Sequence, residues 1–378
     1  MRVLQLVQRP QRRGAEVFAY ELSQQLRALG DSVRTVYLYD YEGSVPLPVE
    51  TGDVCLGHDS AAVGERIPGI QLSLLQRVIH EIHRFQPDIV QANGGRTVKY
   101  GAMAKIAAGR AAPWRLVYRN IDMPKFWNVR WHSRIAYRKV FMPSVDGVIG
   151  VSSASLEQAI ELYELSVPRL AIRNGIDTRK LDGLPTRDEV RNRIGASERD
   201  LILLFLGSLV PQKRPDRFVR VLESVAGLLN NVSGWMVGDG PMKSEILQMI
   251  ETTQMQDKCK LLGYQERVGE FIRGADLLIM TSDTEGIPAV ALEAGYLGVP
   301  VVATNVGALS ECVENGITGV LVGEPFEAGL VKAIVDLASR VELRRALGRN
   351  GEAFVRQKFT MEVVGSEYRD FYAAITGL

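Results

Sequence analysis

Residues 276–304 (DLLIMTSDTEGIPAVALEAGYLGVPVVAT) hold the densest set of groups able to do chemistry. An apolar run leads to Thr281, a loop follows with Asp283, Glu285 and Gly286, and Ile287-Pro288 opens a helix, proline being tolerated in a first turn. Gly286 lets backbone approach a ligand closely. The free N–H groups of the helix's first turn carry the positive end of its dipole, which makes an anion site. Glu285 and Glu293 bracket that site. A carboxylate beside a phosphate repels it, so the two read better as acceptors for sugar hydroxyls, one on a hexose and one on a ribose. A bare pair at this spacing is also what a solvated helix face carries; the strand–loop–helix context favours the site. A second element, Gly207-Ser208-Leu209-Val210-Pro211-Gln212-Lys213-Arg214-Pro215, leaves a strand and enters a helix. It places Lys213 to meet a diphosphate and neutralise a leaving group. Taken alone, it is equally a surface lysine.

These groups depend on the elements that carry them. Short apolar runs alternate with longer amphipathic ones: strands at 2–7, 33–38, 88–91, 115–118 and 147–151, helices at 16–29, 72–85, 99–108 and 130–141. The rhythm restarts with strands at 200–207, 233–237, 260–262, 277–281 and 299–303, and helices at 215–229, 243–252, 266–274, 288–297 and 309–314. Such a β-α-β series implies parallel sheets covered on both faces. We expect an α/β fold of two Rossmann-like lobes facing a cleft, 1–172 and 173–360, with a terminal helix in 361–378 packing back across.

The length of 378 residues suits two domains, and 46% hydrophobic with 24% charged residues excludes a disordered or collagen-like chain. With 45 basic and 44 acidic side chains, the chain has no global signature of nucleic-acid binding. The balance is uneven: residues 1–174 hold 22 basic and 16 acidic side chains, the remainder 23 and 28. The first half would therefore attract anionic partners, unless this is ordinary scatter. Cys55, Cys259 and Cys312 are odd in number and widely spaced, as free thiols in a reducing compartment are. No apolar run approaches a membrane span or a signal peptide, so a cytoplasmic location is expected.

Absent motifs narrow the chemistry. The first strand is not followed by G-x-G-x-x-G, and no P-loop, G-x-S-x-G elbow or zinc spacing occurs. No strict D-x-D occurs either, so no metal or other cofactor is expected.

Together the residues resemble the retaining glycosyltransferases of the GT-B type, the fourth sequence family. The matches are Arg13-Gly14-Ala15-Glu16, Val151-Ser152-Ser153, Asn174-Gly175-Ile176-Asp177, Lys213, Gly238-Asp239-Gly240-Pro241, Leu262-Gly263-Tyr264, Glu285 through Glu293, and 316–322. The resemblance implies that Glu293 holds the ribose of a nucleoside diphosphate sugar and that Glu285 sits by the transferred sugar. It implies that Gly286, Ile287, Pro288 and Ala289 contact sugar and phosphate, and that Lys213 binds the diphosphate. Tyr264 and Gln265 would lie near the base, and Gly14 would close over the diphosphate. Glu285 and Lys213 are the expected catalytic positions. Front-face attack is implied, the leaving phosphate taking the acceptor proton, with no protein base.

The chain departs from the pattern at three places. Ser208 stands where many relatives have arginine, with Arg214 available to supply that charge. Arg13 replaces the first of two glycines, and no histidine stands near the donor sugar, leaving Asn93, Arg119 and Asn120 as candidates for its contact. For the acceptor side, Arg130, Arg134 and Arg138 recur every four residues beside Trp127 and Trp131. Such a helix can lie on an acidic membrane, bind an acidic acceptor, or simply pack with a solvated arginine face. The expected reaction is metal-independent, retaining hexose transfer from a UDP-sugar, with GDP-mannose next in preference. The acceptor would be a glycan, lipid-linked or small molecule, in cell-surface polysaccharide or glycoconjugate synthesis at the inner face of the membrane. The rival expectations are a sugar-nucleotide 2-epimerase and a binding module without turnover.

Overall fold

Strand sequences such as Leu201-Ile202-Leu203-Leu204-Phe205-Leu206 are apolar on both sides of the pleat, and that is stable only in a sheet covered on both faces. The computed structural model describes residues 1–41, 46–57, 70–109, 112–121 and 131–378. The chain forms two units, Met1–Asn174 with Met361–Leu378, and Gly175–Thr360.

In the first unit the strands β1 (Arg2–Val7), β2 (Ser32–Tyr37), β3 (Val54–Cys55), β4 (Ile89–Asn93), β5 (Arg115–Asn120), β6 (Gly147–Gly150) and β7 (Arg169–Ala171) form one parallel sheet. Its order is β3-β2-β1-β4-β5-β6-β7, so the winding reverses between β1 and β4. The helices described are α1 (Gly14–Ala28), α2 (Leu72–Phe85), α3 (Gly95–Ala108), α4 (Trp131–Ala136) and α5 (Ser153–Tyr163). One face of the sheet carries the C-terminal helix, Met361–Thr376. Its Met361, Val364, Tyr368, Phe371 and Tyr372 join Val3, Phe18, Leu22, Ile89 and Val117 in a core of their own.

The second unit repeats the plan. β8 (Leu201–Leu206), β9 (Val232–Val237), β10 (Cys259–Gly263), β11 (Leu277–Met280), β12 (Val301–Thr304) and β13 (Gly319–Val322) pair in parallel in the order β10-β9-β8-β11-β12-β13. The reversal falls between β8 and β11. Around them lie α6 (Arg187–Ile194), α7 (Pro215–Ala226), α8 (Lys243–Thr252), α9 (Val268–Gly274), α10 (Ala289–Tyr296), α11 (Phe326–Ser339) and α12 (Val341–Lys358). The loops leaving β8 and β9 touch so closely that a Cβ on Gly238 (φ +141°) would lie 1.9 Å from the Gly207 carbonyl oxygen. This gives Gly238-Asp239-Gly240-Pro241 a packing reason.

Several elements differ from the expectation. The helix expected at 130–141 is α4 followed by a π-turn over Tyr137–Phe141, and the one expected at 309–314 is a single 3-10 turn, Leu309–Glu311. α5, α6, α11 and α12 were not anticipated. α6 carries an unread signature, a capping box in which Thr186 and Glu189 bond each other's backbone N–H groups. None of the three cysteines is in a disulfide; burial pushes the Cys259 thiol up to about 12, which leaves it unreactive.

Candidate functional site

In open parallel sheets, ligands bind beyond the C-terminal ends of the strands where the winding reverses. In the second unit that point lies between the loop after β8 and the loop after β11, the source of Lys213 and Glu285. Two hydroxyl-bearing strand ends and one backbone N–H join the loops. Thr281, fully buried, donates to the carbonyls of Lys213 (3.0 Å) and Arg214 (2.8 Å). The Asp283 N–H donates to the Gln212 carbonyl at 2.9 Å. Thr304, at the end of β12, donates to the Ser282 carbonyl at 2.6 Å. The Ala308 N–H reaches the Glu285 carbonyl at 3.0 Å, and a Cβ on Gly307 (φ +59°) would lie 1.9 Å from that same oxygen. Glu285 therefore sits on a loop held from two sides.

Lys213 and Glu285 are bonded to each other. The Lys213 Nζ donates to Glu285 Oε1 (2.5 Å) and Oε2 (2.6 Å), and Ser282 Oγ donates to Oε1 at 2.5 Å. The Glu285 side chain is 5% exposed and that of Lys213 32%. Arg214, expected to supply the charge absent at Ser208, binds Asp216 at 2.9 Å and Asp283 at 3.2 Å. Arg217 holds Asp283 at 2.8 Å and the Thr281 carbonyl at 2.6 Å. Burial alone would raise the Asp216 carboxyl, but hydrogen bonds from Arg214 and Arg220 outweigh it and bring the group down to about 2.

Gly286 is exposed and faces open space, Ala289 is exposed, and Ile287 and Pro288 are half-buried. α10 begins at Ala289 with Pro288 as its cap residue, and Glu293 lies half-buried in its second turn. Tyr264, just past β10, is exposed, whereas Gln265 turns back and donates to the Leu262 carbonyl at 2.8 Å. The second unit thus gathers Lys213, Glu285 and the open lip 286–289 at one switch point.

The first unit treats its candidates differently. Gly14 is exposed at the start of α1. Arg119 is fully buried: Nε donates to the Tyr368 hydroxyl (3.0 Å), Nη2 to Asn174 Oδ1 (2.6 Å), and the guanidinium lies 4.1 Å over the Phe18 ring. Asn120 accepts from the Tyr118 hydroxyl (2.9 Å) and donates to the Ser155 carbonyl (2.8 Å). Neither is presented to a ligand. Asn93 donates to Gln5 Oε1 (2.8 Å) and the Leu6 carbonyl (3.2 Å), but it also lines a recess of about 70 Å³ with Gln8, Gly94 and Arg96.

Of the basic tryptophan stretch, Trp127 and Arg130 lie outside the described residues. Trp131 and Ile135 are exposed on α4. The expected every-fourth-residue register stops at Tyr137, where the π-turn winds wider, and Arg138 pairs with Glu164. Among the described residues no group of three His, Cys, Asp or Glu gathers as for a metal, and no helix is long and apolar enough to cross a membrane.

Ser282, Thr281, Thr304 and Gly307 are the site residues that sequence reasoning missed. Their signal was a hydroxyl or glycine at the end of a strand next to the switch point.

Comparison with known proteins gives one consistent result. Over 232 residues, 60% of this chain, it is 28% identical to N-acetyl-alpha-D-glucosaminyl L-malate synthase of Bacillus anthracis, and the match spans 59% of that enzyme's length. Over 322 residues, 82% of this chain and 68% of the relative, it is 26% identical to the phosphatidylinositol N-acetylglucosaminyltransferase GPI3 subunit of Saccharomyces cerevisiae. The crystal structure of Anabaena HepE in complex with UDP shares the fold, with a TM-score of 0.80 at 21% identity over 99% of this chain and 100% of that one. That fold, two parallel-sheet α/β domains, is the GT-B type. Residues 12–180 match the family described as Glycosyltransferase Family 4, and residues 186–354 match Glycosyl transferases group 1. The chain belongs to the group 1 glycosyltransferases.

Proposed function

We propose that the protein transfers a hexose from a nucleoside diphosphate sugar to an acceptor, with retained anomeric stereochemistry and without a divalent metal. The observation that carries this is the pairing of Lys213 and Glu285 at the switch point of the second unit, beside the open lip 286–289. In this reading Lys213 neutralises the diphosphate, Glu285 and the lip hold sugar hydroxyls, and Glu293 holds the ribose. The proton of the acceptor goes to the departing phosphate, so no protein base is named.

UDP is the preferred base, with GDP-mannose next. A structure sharing the fold was solved with UDP, which supports that order. The acceptor is a glycan, lipid-linked or small molecule bearing an acid group. Support comes from the basic excess of residues 1–174 and from relatives named for L-malate and phosphatidylinositol. Exposed Trp131 and Ile135 on α4 favour work at an acidic membrane surface on the cytoplasmic side, in cell-surface glycoconjugate synthesis. Vesicle flotation with and without anionic lipid tests that surface; salt-insensitive absence of binding rejects it.

The deciding experiment is a thermal-shift panel with UDP, GDP, ADP and dTDP in EDTA, followed by product analysis. A ligand at 100 times its dissociation constant adds about 2.7 kcal/mol, roughly 5–10 °C for domains of this size. A shift by one base, then sugar moved to an acceptor, supports the transferase. Epimerised sugar, or binding without turnover, replaces it with the corresponding rival.

A further inference from the structure

Lys213 and Glu285 cannot both serve a ligand while they serve each other. The Glu285 carboxylate, 5% exposed, has Lys213 on both oxygens and Ser282 on one of them. Neighbouring cations are engaged elsewhere: Arg214 with Asp216 and Asp283, Arg217 with Asp283 and the Thr281 carbonyl. A phosphate that draws Lys213 away leaves a nearly buried carboxylate without its cation, the costly half of breaking a buried pair. The loop cannot relax to spare Glu285, because the Ala308 N–H and the close approach of Gly307 hold its backbone.

A ligand escapes this cost only if it brings hydroxyl donors to Glu285 while it brings phosphate oxygens to Lys213. A nucleoside diphosphate sugar carries both groups; the nucleoside diphosphate left after transfer keeps its phosphates and a ribose, which the donor reading gives to Glu293, and has no sugar hydroxyl left for Glu285. We infer that the Lys213–Glu285 pair is a filter that separates donor from product. The intact donor parts the pair and satisfies both halves, whereas the bare diphosphate must hold Lys213 against the pull of Glu285. This rests on the donor reading proposed above. Its consequence is that re-formation of the pair helps to expel the product, so product inhibition is weak in the native enzyme.

The filter gives mutation at Glu285 two effects of opposite sign. Glu285→Gln removes the charge that retains Lys213 and keeps the shape. Titration calorimetry in EDTA with UDP and GDP then reads the bare diphosphate, and UDP-glucose and UDP-N-acetylglucosamine read the donor. In wild type, a donor binds at least tenfold more tightly than its bare diphosphate. In Glu285→Gln, the diphosphate binds at least tenfold more tightly than it does to wild type. The donor gains nothing, kcat falls, and the inhibition constant for UDP falls with its dissociation constant. Equal wild-type affinity for UDP and both UDP-sugars overturns the filter without any mutant. Unchanged or weaker UDP binding by a Glu285→Gln protein with the wild-type melting temperature overturns it too, and leaves the donor reading standing. No binding of any of the four nucleotides to wild type overturns the donor reading and the filter together.

Discussion

The two units share a sheet plan and a switch point, yet they use the polar side chains at their strand ends in opposite ways. In the first unit Gln5, Gln91, Asn93, Arg119 and Asn120 are all buried and bond to one another or to neighbouring elements. The C-terminal helix completes this set, with the Tyr372 hydroxyl donating to Gln91 Oε1 at 2.5 Å and the Tyr368 hydroxyl accepting from Arg119. In the second unit the corresponding position holds Lys213, about one-third exposed, and an open glycine lip. The difference is one of access: the first unit's polar groups are buried and turned onto one another, whereas Lys213 keeps part of its side chain open to a ligand.

The largest test of this contrast lies in the first unit. Arg119→Ala leaves Tyr368, Asn174 and Asn93 with lost partners in a dry setting, and is expected to lower unfolding stability by about 3 kcal/mol. Urea unfolding followed by limited proteolysis should find the C-terminal helix cut first. A variant as stable as wild type would make the buried network decorative and reopen Arg119 as a ligand contact.

In the second unit the expected loss is in rate. Lys213→Ala and Glu293→Ala should each cut transfer at least tenfold, about 1.4 kcal/mol in barrier, with circular dichroism near wild type. Lys213→Ala, which strands the Glu285 carboxylate, should also lower the melting temperature, whereas Glu293→Ala should not. Wild-type rates in either variant remove that residue from the site.

The smallest effect is with pH. The Asp216 carboxyl, drawn down to about 2 by Arg214 and Arg220 against the pull of burial, sits below the usual aspartate value near 4. Its contribution to folding is therefore full above about pH 4 and is lost as the pH falls through 2. Part of it is screened by solvent. Asp216→Asn should flatten that part of an acid-unfolding curve; an unchanged slope would mean that the arginines find other partners.

Much of this was legible in the residues themselves. The run Leu201–Leu206 announced a central strand, and the helix at Lys243–Thr252 has the bounds its sequence suggested. Lys213, Glu285 and Glu293 stood out by type and context. Their mutual bonding did not, because Lys213 and Glu285 are 72 residues apart and meet only through the pairing of β8 with β11. Arg119 and Asn120 were misjudged for a related reason. A strand end beside a switch point normally faces a ligand, but side chains alternate across a sheet. Asn120 falls on the face of α5, and Arg119 on the face that a helix 249 residues later covers. α11 was readable in principle, its buried Leu330, Ile334 and Leu337 recurring at helical spacing.

The first unit is made of two separate lengths of chain, 1–174 and 361–378, with the whole second unit threaded between them. A ribosome making this protein would finish residues 175–360 before it supplies the Tyr368 and Tyr372 that Arg119 and Gln91 require. The second unit holds its own core without that segment, whereas in the first Val3, Phe18 and Ile149 stay uncovered until residues 361–378 are in place. A released chain ending at residue 360 should show a protease-resistant second unit and a cleavable first one. The unit whose synthesis begins first is thus the last to become stable.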